Sequence, residues 1–478
     1  MSPSAREELS ALLDLITNAT TKAIAEYEKN GSGIPSLKEQ HALDNDGGSL
    51  GLRMAIRQLR GACEQLCATL ALPTDTLLSR TLSMYEPTCM RLVTEAGVVD
   101  ALVDHPNGLH VSELGRRTGI EQGKLAHILR FLSMKHCFVE VGADVFANSR
   151  LSWPLLSTTP MASLIGIWAN EFYEGARNIC ETYRDPQYGS SYAPERSPLM
   201  IFFNNRDGTP NRTFFDWMVN DKTTVNNKTM LERFNHAMAV SNTRWTLTQD
   251  MPWHKYFPTN GAKPKLCDIG GGVGFAAMEL TKQFPDIHIT VQDTRQVISH
   301  APSVWQRDCP DAMKRQQVDF VPFNFLTDKP VLNHDIYYVC GTDPAKYIDA
   351  SRHFTDQIRH VIHDWPDAEV VKILQLVCSA MTANNVMLIH QFILSQPHVK
   401  IDQNWNEGRA TQSAPYPLIE SYGAGNLFEF QMDLTMLMAF NAKERSVAET
   451  VELGEKAGLK FETFWDCCDY GILVFRKA

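Results

Sequence analysis

Cys267-Asp268-Ile269-Gly270-Gly271-Gly272-Val273-Gly274, followed one short helix later by Val291-Gln292-Asp293, decides how the carboxy-terminal half of this chain is read. An apolar lead-in over residues 264–269 runs into a glycine-rich turn. An amphipathic stretch over residues 275–283 follows, then a break at Pro285-Asp286 and the run Ile287-His288-Ile289-Thr290-Val291. The order is strand, loop, helix, strand, which is one βαβ unit.

Glycines in such a turn let backbone approach a ligand without a Cβ in the way, and an acid closing the second strand accepts hydrogen bonds from two ribose hydroxyls. Asp293 is that acid. A glycine loop alone is equally consistent with a tight strand-to-helix turn; the downstream acid at the right distance favours a cofactor. Gly270-Gly271-Gly272-Val273-Gly274 lacks the third, helix-packing glycine of the dinucleotide fingerprint at its expected place. A nucleoside without a pyrophosphate fits better, and S-adenosylmethionine is the commonest such cofactor.

At 478 residues the chain is long enough for two domains and an appendage. Its formal net charge of -10 argues against nucleic acid as a partner, which calls for a basic face. The 11 cysteines include no Cys-x-x-Cys pair, so no metal site is expected and the thiols read as reduced. The first residues, Met1-Ser2-Pro3-Ser4-Ala5-Arg6-Glu7-Glu8, are polar and acidic where a secretory signal is basic and then apolar. No apolar run approaches the roughly 20 residues of a membrane span. These features read as a soluble, cytoplasmic protein that does not engage membranes.

Four segments are expected: a helical extension over 1–80, a winged-helix domain over 81–155, a helical linker and substrate-lining segment over 156–260, and an α/β domain over 261–478. In the second, a helix over 88–103, a turn at Pro106-Asn107-Gly108, helical runs up to Met134 and a hairpin at Cys137–Val141 and Val145–Ala147 spell helix, helix, helix, wing. A DNA-binding version would put cations or amides at the start of its recognition helix. Glu121-Gln122-Gly123-Lys124-Leu125-Ala126-His127 begins with an acid, so a dimerisation scaffold is the better reading. Residues 154–260 read as helical apart from a loop over 183–211. From residue 264 onward the βαβ series implies a largely parallel sheet.

Arg359-His360-Val361-Ile362-His363-Asp364-Trp365-Pro366-Asp367 follows the strand Asp335-Ile336-Tyr337-Tyr338-Val339 and precedes an amphipathic helix over 369–381. Ligands in open α/β sheets bind at the carboxyl ends of strands, where this segment falls. Histidine, with an ordinary pKa of about 6.5, takes a proton from a hydroxyl as that oxygen attacks an electrophile. A structural histidine near a helix start is the alternative.

Taken together, the glycine loop, Asp293, the His-Asp-Trp-Pro-Asp segment, Asn441-Ala442-Lys443-Glu444-Arg445-Ser446 and the winged helix resemble the caffeate-type (class II) family of S-adenosylmethionine-dependent O-methyltransferases. The resemblance covers residues 82–478 and points to the fungal secondary-metabolite branch. It implies a Rossmann-like α/β methyltransferase domain behind an α-helical winged-helix dimerisation domain, working as a homodimer on a small-molecule hydroxyl, phenolic or enolic.

By the same resemblance His363 is the catalytic base and Glu444 orients it. A second orienting glutamate is replaced here by Gln391, in Met387-Leu388-Ile389-His390-Gln391-Phe392, whose amide oxygen can still accept a hydrogen bond. Asp268, Gly270, Gly272 and Asp293 are implied for the cofactor, with Arg359, Asn242 and, at the adenine, Asn324 and Phe325. Phe234, Met238, Asp364, Met436 and Phe440 are implied for the acceptor.

Two stretches depart from the family pattern. Deleting residues 340–358 would join the flanks into a continuous motif, so they read as a lid or, preferably, as intronic sequence retained in the gene model. Residues 395–428 form a connection longer than usual that would cover the acceptor. A cofactor-binding pericyclase on the same fold, and a winged-helix regulator, are the rival functions.

Overall fold

The computed structural model describes residues 4–29, 31, 33–45, 47–238, 240, 251–324, 327–339, 362–363, 365–394, 414–468 and 470–478. Helices Ala5–Lys29 and Leu50–Leu70 pack along each other, and their apolar stripes meet at Leu12 and Ala62. The same cluster takes in Leu418 and Tyr422 from the far end of the chain. Gly61 lies so close to the Tyr422 carbonyl that an added Cβ would come within 2.4 Å. Arg57, itself buried, pairs with Asp466 at 3.1 Å and sits 4.4 Å from the centre of the Tyr422 ring. Backbone contact and a buried ion pair thus seat the amino-terminal helices on the carboxy-terminal half. Helix Pro73–Leu82, which follows, buries no residue.

Helices Tyr85–Glu95, Val98–Leu102, Val111–Thr118 and Gln122–Met134 surround a small sheet of β1 (Leu109–His110), β2 (Phe138–Gly142) and β3 (Val145–Asn148) in the order β1-β3-β2. The single helix expected over 88–103 is divided, because Gly97 takes a left-handed φ of +66°. Val93, Val99, Leu114, Leu129 and Phe146 form the core of this unit. Glu121 caps the fourth helix, its carboxylate accepting from the Gly123 and Lys124 amides at 2.9 Å each. Arg130, further along, is held by Glu140 and Asp144. An acid at the helix start and a neutralised arginine are the opposite of a base-reading surface.

The middle of the chain is helical, with a short hairpin of β4 (Thr224–Val225) and β5 (Lys228–Thr229). Helix Pro198–Asp207 falls inside the loop expected over 183–211. Ser197 caps it, Pro198 opens it, and Leu199, Met200 and Phe203 are buried. Its tyrosine-, proline- and glycine-bearing flanks hid a segment whose start signals are intact.

The large sheet holds β6 (Lys265–Ile269), β7 (His288–Asp293), β8 (Val318–Pro322), β9 (Ile336–Val339), β10 (Val386–Gln391), β11 (Leu459–Asp466) and β12 (Gly471–Lys477) in the order β11-β12-β10-β9-β6-β7-β8. The pairs β6·β7, β7·β8, β6·β9 and β9·β10 are parallel, whereas β12 runs antiparallel to both its neighbours. Alternation sorts the side chains into two layers. Leu266, Ile336, Tyr338, Val386, Leu388, Ile472 and Val474 pack on helices Phe275–Gln283 and Ala301–Asp308. Cys267, Ile269, Tyr337, Met387, Ile389, Leu473 and Phe475 pack on helices Asp367–Ala380 and Val447–Lys456. The chain adds β7 and β8 on one side of β6, then returns to place β9 on the other. That reversal is a topological switch point, and the carboxyl ends beside it carry the site.

Candidate active site

The glycine loop leaves β6 at Ile269, with Gly270 at φ +71°, Gly272 at φ +62° and Gly274 at φ +90°. All three angles favour glycine. Gly271 is constrained differently: a Cβ there would lie 2.4 Å from Asp268 Oδ2. Gly274 caps helix Phe275–Gln283, and a Cβ there would reach 2.9 Å from Val291 and 3.0 Å from Trp305. Trp305 in turn donates from Nε1 to the Val273 carbonyl at 2.7 Å. The third place of the dinucleotide spacing holds Phe275, and Gly274, one residue earlier, packs closely on Val291 and Trp305 instead.

Asp293 ends β7 and steadies the loop, its carboxylate accepting from the Gly272 amide at 2.8 Å and the Thr294 amide at 2.7 Å. Each carboxylate oxygen can accept more than one hydrogen bond, so capacity for hydroxyl donors remains. Asp268 is fully buried, and neither of its carboxyl oxygens has a hydrogen-bond partner among the described residues. Burial, and secondarily the charge of Asp293, push its pKa well above the ordinary carboxyl value. An orphaned acid under a bare-backbone cradle fits a ligand that brings a cation and a nucleoside. S-adenosylmethionine has both. Asn324 stands exposed after β8, with its carbonyl accepting from the Asp328 amide at 2.7 Å. Phe325, Arg359 and Asn242 lie outside the described residues.

The second group of residues gathers beyond β9 and β10. His363 and Glu444 are both buried, and His363 Nδ1 lies 2.7 Å from Glu444 Oε1. A carboxylate only accepts, so the network assigns the proton to Nδ1 and leaves Nε2 as the basic nitrogen. Glu444 Oε2 has no hydrogen-bond partner among the described residues. The Glu444 amide donates to Asp433 Oδ1 at 3.0 Å, which ties this segment to helix Leu427–Phe440.

Gln391, at the end of β10, does not take the place of the expected second glutamate. Its amide nitrogen donates to Thr450 Oγ1 at 2.8 Å, and Thr450 donates on to the Ser446 carbonyl at 2.9 Å. His363 Nδ1 donates to Glu444, and Gln391 does not reach the imidazole. Two residues escaped the sequence reading: Thr450, hidden in an amphipathic helix, and Arg445, whose only signal was its place beside Glu444. The Arg445 guanidinium donates to the Ile362 carbonyl at 2.5 Å, the Trp365 carbonyl at 2.7 Å and Asp367 Oδ1 at 2.8 Å.

Of the residues expected to line the acceptor, Phe234, Met238 and Phe440 come together against Phe214, Trp217 and Met438. Phe440 stacks on Phe215 with centroids 5.7 Å apart and meets Phe214 edge-on at 5.2 Å. Met436, one turn before Phe440 on helix Leu427–Phe440, is buried but does not join that cluster. Asp364 and residues 340–358 lie outside the described residues, as do 395–413 of the long connection.

Residues 202–339 match the O-methyltransferase domain family. Over 467 residues the chain is 35% identical to 3-O-methyltransferase 2 of Phanerochaete chrysosporium, covering 96% of this chain and 95% of that protein. A solved structure described as a pericyclic reaction enzyme superposes with a TM-score of 0.68 at 16% identity, covering 98% of this chain and 100% of that one. OxaC in complex with SAH and oxaline superposes with a TM-score of 0.62 at 20% identity, again covering 98% and 100%. At such identities the solved structures are likenesses of fold, whereas the Phanerochaete relative is a likeness of sequence over nearly the whole length. The chain belongs to the S-adenosylmethionine-dependent O-methyltransferase family.

Proposed function

We propose that the protein methylates a hydroxyl, phenolic or enolic, of a small secondary metabolite, with His363 as general base. The observation that carries this reading is the buried 2.7 Å contact between His363 and Glu444 beside the same sheet edge as the glycine loop. S-adenosylmethionine, when bound, supplies an electrophilic methyl on a sulfonium. Asp268 would hold its cationic amino group, Gly270 and Gly272 would line its amino acid portion, and Asp293 would take its ribose.

His363 Nε2 takes the acceptor's proton, and Glu444 stabilises the imidazolium that forms. The rest of the rate comes from alignment, since attacking oxygen, methyl and leaving sulfur must be collinear. Phe234, Met238 and Phe440 offer an apolar, ring-lined surface, which suits a flat aromatic acceptor.

A homodimer and a cytoplasmic setting belong to the same reading. Leu77 and Leu78 of helix Pro73–Leu82 are 62% and 60% exposed, and Leu72 before them is 66% exposed. A helix that buries no residue and exposes these leucines supports a surface covered by a second copy. Replacing Leu77 and Leu78 by glutamate should shift the protein to monomer in light scattering. Cys137, Cys267, Cys309 and Cys378 are buried free thiols, as suits a reducing compartment.

The deciding experiment is mass spectrometry of purified protein with methyl-labelled S-adenosylmethionine and a panel of phenols and enols, beside His363→Ala. Label in a product, largely lost in the variant, supports base-assisted methyl transfer. Unconsumed S-adenosylmethionine with a substrate rearranged at unchanged mass would replace it by a pericyclase, a reading that the retained His363 and Glu444 disfavour.

A further inference from the structure

Glu444 and Arg445 are adjacent in sequence, and both reach the segment that carries His363. Glu444 takes the imidazole. Arg445 takes the backbone on either side of it: Nη1 donates to the carbonyl of Ile362, immediately before His363, and Nη2 to the carbonyl of Trp365, two residues after. Nε and Nη2 also donate to Asp367 Oδ1 at 3.0 and 2.8 Å, where helix Asp367–Ala380 begins. Arg445 is 2% exposed. Burying a guanidinium is costly unless its donors are matched, and here they converge on one short stretch of chain.

The base from which Arg445 reaches is itself held on several sides. Ser446 caps helix Val447–Lys456 in a reciprocal pair with Glu449. Arg445 bridges to Ile393 just beyond β10, and its carbonyl accepts from the Leu394 amide at 3.2 Å. The Glu444 amide is fixed by Asp433. A rigid platform therefore presents one side chain to the imidazole and the next to the main chain that carries it.

We propose that Arg445 is a positioning residue for methyl transfer: it fixes the backbone around His363 so that the imidazole meets Glu444 and the acceptor hydroxyl in one geometry. The inference rests on His363 being the base. Only a planar fork of five donors spans two carbonyls and a carboxylate at once. Lysine, a point charge on a flexible stem, cannot. Asp367 closes the arrangement from the solvent side, its side chain 56% exposed.

The test is a double-mutant cycle of Arg445→Lys with His363→Ala, following kcat, KM for the acceptor and the Kd of S-adenosylmethionine. In the wild-type background Arg445→Lys should lower kcat by about 100-fold, the cost of a 1 Å misplacement, with cofactor Kd little changed. In the His363→Ala background the same change should be nearly silent, because the group it positions is gone. Equal losses in both backgrounds, or no loss in wild type, would overturn the proposal. If Arg445→Lys does not fold, Asp367→Asn replaces it in the cycle, with a smaller loss and the same dependence on His363. Should wild type transfer no methyl to any acceptor, the methyl-transfer reading has failed. The clamp is then judged by NMR of the His363 imidazole proton: a shift in Arg445→Lys upholds it, and an unchanged resonance overturns it.

Discussion

Asp268 and Glu444 are both buried acids beside the carboxyl edge of the large sheet, yet they are kept in opposite conditions. Neither carboxyl oxygen of Asp268 has a hydrogen-bond partner among the described residues, and burial drives its pKa well above the usual range. Glu444 is committed to His363 at 2.7 Å. In the proposed reading the first acid is left for charge that arrives with a ligand, and the second aims the base. The cofactor end is thus incomplete without its cofactor, whereas the base end is assembled in the chain alone.

The strongest way to break this comparison is His363→Ala. Removing the aimed base should lower methyl transfer by about 100-fold or more while calorimetry shows cofactor affinity unchanged. A matching loss of affinity would mean that the two ends are not separate.

Gly274→Ala attacks the cofactor end through its backbone. The added methyl meets Val291 and Trp305 at a φ of +90°, which should cost about 1–3 kcal/mol of stability in a denaturant titration. A neutral result would show that the loop can shift.

Asp268→Asn sharpens the contrast between the acids. A carboxyl whose folded pKa lies above its ordinary 3.8 keeps its proton longer in the folded state than in the unfolded one. Ligand-free stability should therefore fall as pH rises from near 3.8 toward that raised value. Binding a cation reverses the preference, so a proton leaves as the cofactor binds and affinity climbs with pH over that window. Asp268→Asn should raise the ligand-free Tm at pH 8, weaken S-adenosylmethionine about tenfold and abolish the proton release seen in buffers of different ionisation enthalpy.

Gln391→Glu carries the smallest expected effect. Gln391 donates to a Thr450 hydroxyl whose own proton is already given to Ser446. A carboxylate there would lose that donor without gaining His363, so kcat should change by no more than about threefold with a drop in stability of about 1 kcal/mol. A large gain in kcat would show that position 391 can turn toward the base.

The two ends were not equally legible. Gly270 to Asp293 declares itself because a βαβ turn is encoded by neighbours: apolar strand, glycines at left-handed φ, amphipathic helix, acid at the next strand's end. The dinucleotide spacing, which puts Phe275 at its third glycine, rules out that fingerprint but does not point to Gly274 as the glycine that packs the helix. The base end joins His363 to Glu444 across 81 residues. Its parts came from a family resemblance, and spacing alone left His363 open to a structural reading.

The amino-acid sequence by itself determined the α/β class, the winged helix, the glycine loop with its acid and the segments that bear the base and its partner. The class, the winged helix and the glycine loop rest on periodicity and turn chemistry, which act over a few residues, whereas the segments of the base and its partner were found by their resemblance to a family. Tertiary structure alone decided that Gln391 faces Thr450, that Phe440 joins the aromatic cluster while Met436 does not, that the amino-terminal helices lie on Tyr422 and Asp466, and that Arg445 grips the chain on both sides of His363. Each is a contact between distant segments. Its direction depends on how packed layers register against one another, and local pattern does not carry that information.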